Sequence, residues 1–562
     1  MKERYIELME TVVSAYTDAH IREYVDQVVK DGLSEHGFPR LTSDIGVLLS
    51  HGRRMDLKDI FEQMMDICCE QIPTALATHP SVGNEFTVKE IVPCLLALEE
   101  SGVFPVEKTQ YWRKLLGTIN PYTCYKVIAK NPPERIGNWA AFGGVSEQVR
   151  KAAGIGCEDE FIDNQIASQL LSFDENGMYR DPHEPMVYDI TTRLQLSIAM
   201  HFGYDGAHKQ ALDDFLIKGG KQTLLMQSVT GEIPFGGRSN QFLHNEAVFS
   251  AVCEFEASRY QKLGDHKLAG QFKDAANLAV DSIGEYLSSE QLYHIKNCYP
   301  NDSRYGCERY AYFNKYMVTC ASFLYVAYLF ADDTIKPFPC PAREGNHIYR
   351  TSDFFHKTIC KFEDYFVEYE TDAYFLYDSN GLGRIHRKGA PSAICLTLPF
   401  TNTPNYVVDV ENPTPLSICG GIYEGDSRVL ACEEGTQYTL LSQELTEEHA
   451  QLVWQCKLNN GAVITETCTV TSAGVHLSFA GDGQIFCMLP AFESDGKTGT
   501  EITLCSNKLT INYRGWQCTY TVSGALSDTG NIYANRSGHY RAYIAEAVDS
   551  LEVMVMLEKA EI

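Results

Sequence analysis

KPFPCPAREG, residues Lys336 to Gly345, carries three prolines in ten residues and divides a chain of two characters. Proline removes a backbone donor and blocks both a helix interior and a central strand, so this run reads as a linker. Upstream of it, DLKDIFEQMMDICCE, TVKEIVPCLLALEE and DEFIDNQIASQLLSF place apolar residues at i, i+3, i+4 and i+7, the helical period. Downstream, AICLTLPF, VVDV, LLSQEL, AVITETCTV, LTINYRG and LEVMVML alternate or run β-branched between NNG, GDG and SDG turns. The expected architecture is a multi-domain α and β chain. Residues 1–335 form a helical domain, 336–345 the linker, and 346–562 an antiparallel β-sandwich.

Connections in the helical part are of two kinds. HFGYDGAH and KLGDHK are terse, whereas SFDENGMYRDPHEPMVYD (Ser172–Asp189), VTGEIPFGGRSNQF (Val229–Phe242) and SSEQLYHIKNCYPNDSRYGCERY (Ser288–Tyr310) are long and rich in Gly, Pro and aromatics. Alternation of short and long loops in stacked helical hairpins gathers the long ones at one end, where a groove forms. A ring of such hairpins is an (α/α) toroid. The closed ring is inferred from this alternation, since no strict sequence repeat marks it.

The 562 residues carry Lys+Arg 47 against Asp+Glu 74, a net charge of -27, which lacks the basic footprint a phosphate backbone needs and excludes nucleic acid as the main partner. An anionic ligand then requires a local reversal of sign by Arg, Lys or helix N-termini. The charged N-terminus has no apolar leader, and the most apolar helical stretch, Val318 to Ala331, falls short of a bilayer span of about 20 residues. The 19 cysteines are odd in number and scattered, without CxxC or zinc spacing. These features point to a cytoplasmic protein with free thiols, no membrane association, no metal site and no cofactor. GLGRIH lacks GxGxxG spacing, and neither a P-loop nor HExxH occurs.

Candidate chemistry lies at the loop–helix junctions. Asn138 and Trp139 in NWAAFGG are a sugar-stacking and hydroxyl-binding pair, or a helix cap and a core aromatic. In RDPHEPMVYDITTR a helix starts near Met186, and Asp189 with Arg193 is either an i, i+4 ion pair or a carboxylate oriented in a cleft. PFGGRSNQFLHNEAVF is the most unusual stretch. Gly236-Gly237 permits a tight turn, Arg238 offers a fork for a carboxylate, and Ser239 or Asn240 is placed to cap the next helix. His244, Asn245 and Glu246 follow at its start. In YPNDSRYGCERYAYFNKYM (Tyr299–Met317), Arg309, Tyr310 and Tyr312 suit sugar contact or proton transfer, and His386 and Arg387 sit on a glycine-flanked stretch early in the sandwich.

A helical toroid followed by a sandwich resembles heparinase II/III-like polysaccharide-active enzymes. NWAAFGG, the YDITTR helix and the PFGGRS turn are similar to motifs of DUF2264-type proteins, a group related to the β-glucuronidases of glycoside hydrolase family 154 from gut bacteria. The resemblance implies an exo-acting enzyme that removes a terminal uronic acid, and it allows for a homo-oligomer. It matches Asn138-Trp139, Asp189 with Arg193, and Gly237-Arg238-Ser239, while the His244–Glu246 step departs from the DUF2264 pattern. On this reading Glu246 and Asp189 are the acid/base pair of a hydrolase, with His244 polarising or shuttling. Arg193, Arg238, Arg309 and Arg387 then receive the uronate, assisted by Asn138, Trp139, Asn245 and His386. Carboxyl separation decides retention (~5 Å) or inversion (~6.5–9.5 Å). The alternative is a uronate lyase, in which a Tyr or His takes the proton alpha to the carboxyl and Asn, His or Arg neutralises the growing charge, with His244, Asn245 and Tyr310 or Tyr312 as the candidates. A non-catalytic carbohydrate-binding protein is the third reading. The absence of a leader favours the hydrolase, because depolymerising lyases mostly meet polymer outside the cytoplasm.

Overall fold

The computed structural model describes residues 1–288 and 290–560. Residue 289, inside the Ser288–Tyr310 loop, and residues 561–562, at the end of the 346–562 segment, lie outside the described residues. The helices are α1 (Lys2–Ser14), α2 (Asp18–Asp31), α3 (Gly37–Ser50), α4 (Lys58–Gln71), α5 (Asn84–Ser101), α6 (Val106–Leu116) and the single turn α7 (Pro121–Cys124). They continue with α8 (Trp139–Ala152), α9 (Asp159–Leu170), α10 (Met186–His201), α11 (Lys209–Met226), α12 (His244–Leu263), α13 (His266–Leu287) and α14 (Phe313–Phe330). Among the described residues, none of these helices is long and apolar enough to cross a membrane.

Six helices close a ring. α3 packs on α5, α5 on α8, α8 on α10, α10 on α12, α12 on α14, and α14 returns to α3. Around them α4, α6, α9, α11, α13 and α1 form an outer layer, each against its inner neighbour. Burial follows the layer. α3 buries Gly37 through Leu49 without a break and α10 buries nearly its whole length, whereas α2, outside the ring, buries only Ile21, Val25 and Val28. A helix enclosed on all sides must be apolar or internally satisfied all round, while a covering helix needs one stripe. The (α/α) toroid is therefore closed by the packing of its last inner helix on its first.

Beyond α14 come strands β1 (His347–Arg350), β2 (Lys357–Phe362), β3 (Tyr365–Glu370) and β4 (Gly381–Arg387), an antiparallel four-stranded sheet in that order. It faces an eleven-stranded antiparallel sheet whose spine is the pair Gly474–Ser494 and Gly538–Lys559. Tyr365, Val367 and Tyr369 pack against Trp454, Phe479 and Phe486 in the inter-sheet core. The other face of the small sheet meets the ring, where Ile359, Phe366 and Tyr349 join Met178, Met186 and Met226. β2 and β3 are consequently buried at every position.

Two expected strands are not formed. AICLTLPF and VVDV lie outside regular strands, the former touching the sheet only through the isolated bridges Ile385–Leu396 and Phe400–Leu416. Pro391 and Pro399 withhold the donors a ladder needs, while Leu396, Leu398 and Phe400 still enter the core.

Candidate active site

The three long loops lead into α10, α12 and α14 at one end of the ring, and there a cavity of about 480 Å³ opens. Every inner helix contributes from its N-terminal side: His36 and Arg40 of α3, Phe86 of α5, Asn138 and Trp139 of α8, Tyr188 of α10, His244 of α12, and Lys315 and Tyr316 of α14. Lys126, Arg238 and Tyr310 complete it from the connecting loops. Six helix N-termini directed at one space make a positive field there, in a protein of net charge -27. Arg40 and Lys315 add cations to first and second turns, against the macrodipole preference, at about 0.3–1 kcal/mol each. No Asp or Glu lines the cavity among the described residues.

Arg238 owes its place to the turn around it. Gly237 has φ 74, and a Cβ there would stand 2.6 Å from Pro185 Cα, so the turn needs glycine. Its N–H donates to Asp378 Oδ2 of the sandwich at 2.7 Å. The Arg238 guanidinium lies 4.3 Å over the Tyr188 ring, donates to Pro182 O at 2.9 Å, and is paired with buried Asp181. Next in sequence, Ser239 takes the left-handed conformation, φ 58, and donates its N–H to Glu308 Oε1 at 2.6 Å. Glu308 is in turn paired with sandwich Arg536 at 2.6 Å. Ser239 Oγ meets the hydroxyls of Tyr310 at 3.1 Å, Tyr188 at 3.2 Å and Tyr316 at 3.5 Å. Neither Ser239 nor Asn240 caps α12, which begins later, at His244.

His244 is buried beside Tyr316 and Phe242, and its Nδ1 has no hydrogen-bond partner among the described residues. Burial first, then Arg40 and His294, hold its imidazole down at about 3, so it is neutral at physiological pH. Burial pushes the Tyr310 phenol far up, with Tyr188 and Glu308 adding to it and the Ser239 hydrogen bond opposing. Tyr316 is raised in the same way. Lys315 is lowered by burial and Arg40, against Glu35. Asn138 is buried but makes no capping bond from its side chain, which leaves that amide for a ligand. Trp139 stands edge-on to Phe86, with centroids 4.8 Å apart.

Five of the thirteen residues given a role from sequence, Asn138, Trp139, Arg238, His244 and Tyr310, line the cavity, and eight do not. Asp189 and Arg193 form a fully buried pair at 2.7 Å, with Asp189 also accepting from Tyr179 N–H and Arg193 donating to Thr223. Glu246 is wholly buried against Lys296 at 2.7 Å and accepts from Ile233 N–H; burial raises its carboxyl and Lys296 opposes the shift. Asn245 donates to Ser239 O at 3.0 Å. His386 meets Ser228 Oγ at 2.7 Å inside the interface, Arg387 donates to Leu557 O within the sandwich, and Arg309 is exposed outside the cavity wall. Tyr312 borders a separate cavity with Tyr24 and Glu35. The helical period explains the split of His244, Asn245 and Glu246: residues two apart on a helix point about 200° apart, so one faces the cavity and the other the wall behind. Tyr188 and Tyr316 stood in quoted segments without a role, and His36, Arg40, Lys126 and Lys315 were not singled out. Apart from Lys126, which lies in the connection before α8, their common signal is position, at or just before the first turns of inner helices.

No protein-family model matches the chain, and no curated protein matches it. Among solved structures, a heparan sulfate lyase mutant from Pedobacter heparinus is similar with TM-score 0.46 at 10% identity, over 92% of this chain and 76% of that one. A heparinase III gene product gives TM-score 0.47 at 9% identity over 93% and 78%. A chondroitinase AC lyase gives 0.38 at 9% over 99% and 83%. At these scores and identities the likenesses carry no argument, and the reading of the site rests on its own geometry. Among the described residues no group of three or more His, Cys, Asp or Glu is placed to hold a metal ion.

Proposed function

We propose that the cavity binds the uronate of an acidic saccharide and cleaves the glycosidic bond at C4 by β-elimination, the reaction of a uronate lyase. The observation that carries this is the composition of the wall: cations, tyrosines, a neutral imidazole and a free amide, with no carboxylate among the described residues. Hydrolysis by a carboxyl pair needs two acidic groups flanking the scissile bond. Glu246 and Asp189 are instead held in buried ion pairs outside the wall. Elimination needs what is present. Arg238 and Asn138 hold the carboxylate and stabilise the charge that grows on it as the C5 proton leaves, and neutral His244 hydrogen-bonds to the same developing anion. Tyr310, at the cavity mouth, accepts the proton. Trp139 and Phe86 offer the apolar face against which a sugar ring packs.

The test offers purified protein an aryl β-D-glucuronide and, in parallel, uronate-containing oligosaccharides. Elimination across C4–C5 leaves a conjugated unsaturated uronate that absorbs in the ultraviolet, and it cannot expel an aryl group from C1. The expected outcome is an absorbance rise with oligosaccharide and no aryl release. Aryl release with free uronic acid and no absorbance rise overturns the reading in favour of an exo-hydrolase.

A further inference from the structure

Ser239 is buried behind the cavity wall, yet three of the wall's tyrosines end on its hydroxyl. A serine at φ 58 occupies a conformation disfavoured for any residue with a Cβ. It is held there from both sides of the peptide: its N–H donates to Glu308, its C=O accepts from Asn245, and the preceding turn is tied to Asp378. Structure spent to keep one hydroxyl at the meeting point of Tyr188 and Tyr310 points to a task for that hydroxyl. The chemistry supplies one. A tyrosine hydroxyl is already protonated at neutral pH, and Tyr310 is shifted further up by desolvation, Tyr188 and Glu308, so a standing phenolate is not available as the base.

We infer that Ser239 is a positioning residue that joins Tyr310 and Tyr188 into a proton relay, so that base and acid of the elimination are different tyrosines and no phenolate accumulates. This deepens the lyase reading and rests on it. As Tyr310 takes the C5 proton it gives its own hydroxyl proton to Ser239 Oγ. Ser239 gives its proton to Tyr188 Oη, and Tyr188 gives its proton to the departing glycosidic oxygen. The C5–H electron pair becomes the C4=C5 π bond, and the C4–O pair leaves with the oxygen. All three hydroxyls end neutral, the proton count is unchanged, and rotation of the hydroxyls resets the chain without any co-reactant. Tyr316, at 3.5 Å, bears on Ser239 Oγ as a third neighbour. Arg238, stacked on Tyr188, favours electron density on that ring as Tyr188 gives its proton to the departing oxygen.

The test uses Ser239→Gly, which removes the hydroxyl and suits the backbone conformation. The expected result is a loss of kcat on the order of 10²–10⁴-fold with KM little changed. The dependence of rate on solvent deuterium fraction should be bowed in the wild type, because several protons move together, and straight in S239G. Y188F and Y310F should each cost nearly as much as the double variant, since either break interrupts one chain. A fluorine resonance from 3-fluorotyrosine at position 310 should shift in S239G whether or not turnover occurs. If the wild type eliminates while S239G keeps kcat within about threefold, the relay is wrong and the lyase reading stands. A straight deuterium dependence in the wild type overturns it equally. If no uronate saccharide is eliminated at all, the lyase reading fails and takes the relay with it, even where the fluorine shift is seen.

Discussion

Glu246 and His244 share the first turn of α12, and their surroundings give them opposite duties. His244 meets the cavity with one ring nitrogen unpartnered, while Glu246 closes a buried cluster with Lys296 and Glu232. Both carboxylates compete for one ammonium, with Lys296 Nζ 2.7 Å from Glu246 and 3.3 Å from Glu232. Glu246→Gln therefore tests structure and catalysis apart. The amide keeps an oxygen for Ile233 N–H, and Lys296 retains Glu232. Elimination activity is expected to stay within a few-fold of wild type, and unfolding free energy to fall by about 1–3 kcal/mol in denaturant titration. Loss of all turnover in a protein that unfolds normally would return Glu246 to the chemistry and with it the hydrolase.

At the scale of elements, the helical hairpins and their long loops were legible because amphipathic period and loop composition are local properties. The cavity wall was legible in part, at Asn138-Trp139, at Arg238 after its glycine pair, and at His244 and Tyr310 in polar or aromatic runs beside helix starts. Lys315, Arg40 and Tyr316 look like ordinary helix-face residues, and only closure of the ring turns their first turns toward one space. The buried pairs Asp189–Arg193 and Glu246–Lys296 misled for the same reason: a charged residue at a helix start reads alike whether it serves a ligand or a distant ammonium. The sandwich holds a carboxyl that sequence could not distinguish from a surface one. Glu466, on the strand Val463–Thr471, is fully buried, and its hydrogen-bond partner is Tyr369 at 2.6 Å, with no cation in contact among the described residues. Burial raises it from 4.5 to about 7. A raised acid binds its proton in the native state where the unfolded chain has already lost it. Stability thus falls as pH rises from about 4.5 to 7 and stays lower above that, by up to about 3 kcal/mol. Glu466→Gln should remove this slope. Denaturant unfolding at pH 5 and pH 8 should show the variant gaining on wild type at the higher pH, and an equal difference at both would place the ionisation elsewhere.

Over the whole molecule, the sandwich acts as the brace of the ring's functional end. Its Asp378 takes the Gly237 N–H, its Glu368 takes the Phe235 N–H at 3.3 Å, and its Arg536 fixes Glu308, which in turn takes the Ser239 N–H. Supports at three alternate residues of one turn mean that the position of Arg238 and Ser239 is set across the interface, by side chains that line no part of the cavity. Arg536 is fully buried and grips Glu308 with both terminal nitrogens, at 2.6 and 3.0 Å, while donating to Gly306 O. Lysine keeps the charge but has no such fork. Arg536→Lys is therefore expected to cost about 1–3 kcal/mol of stability and to lower kcat several-fold with KM nearly unchanged, because it loosens Ser239 rather than the carboxylate-binding groups. The decisive form of the measurement is a double-mutant cycle at a temperature where every variant is folded. In the S239G background, with no hydroxyl left to position, the further effect of R536K on kcat should vanish. An undiminished effect there would mean that the sandwich reaches the reaction by another route, with Asp378 and the Arg238 turn the next place to look.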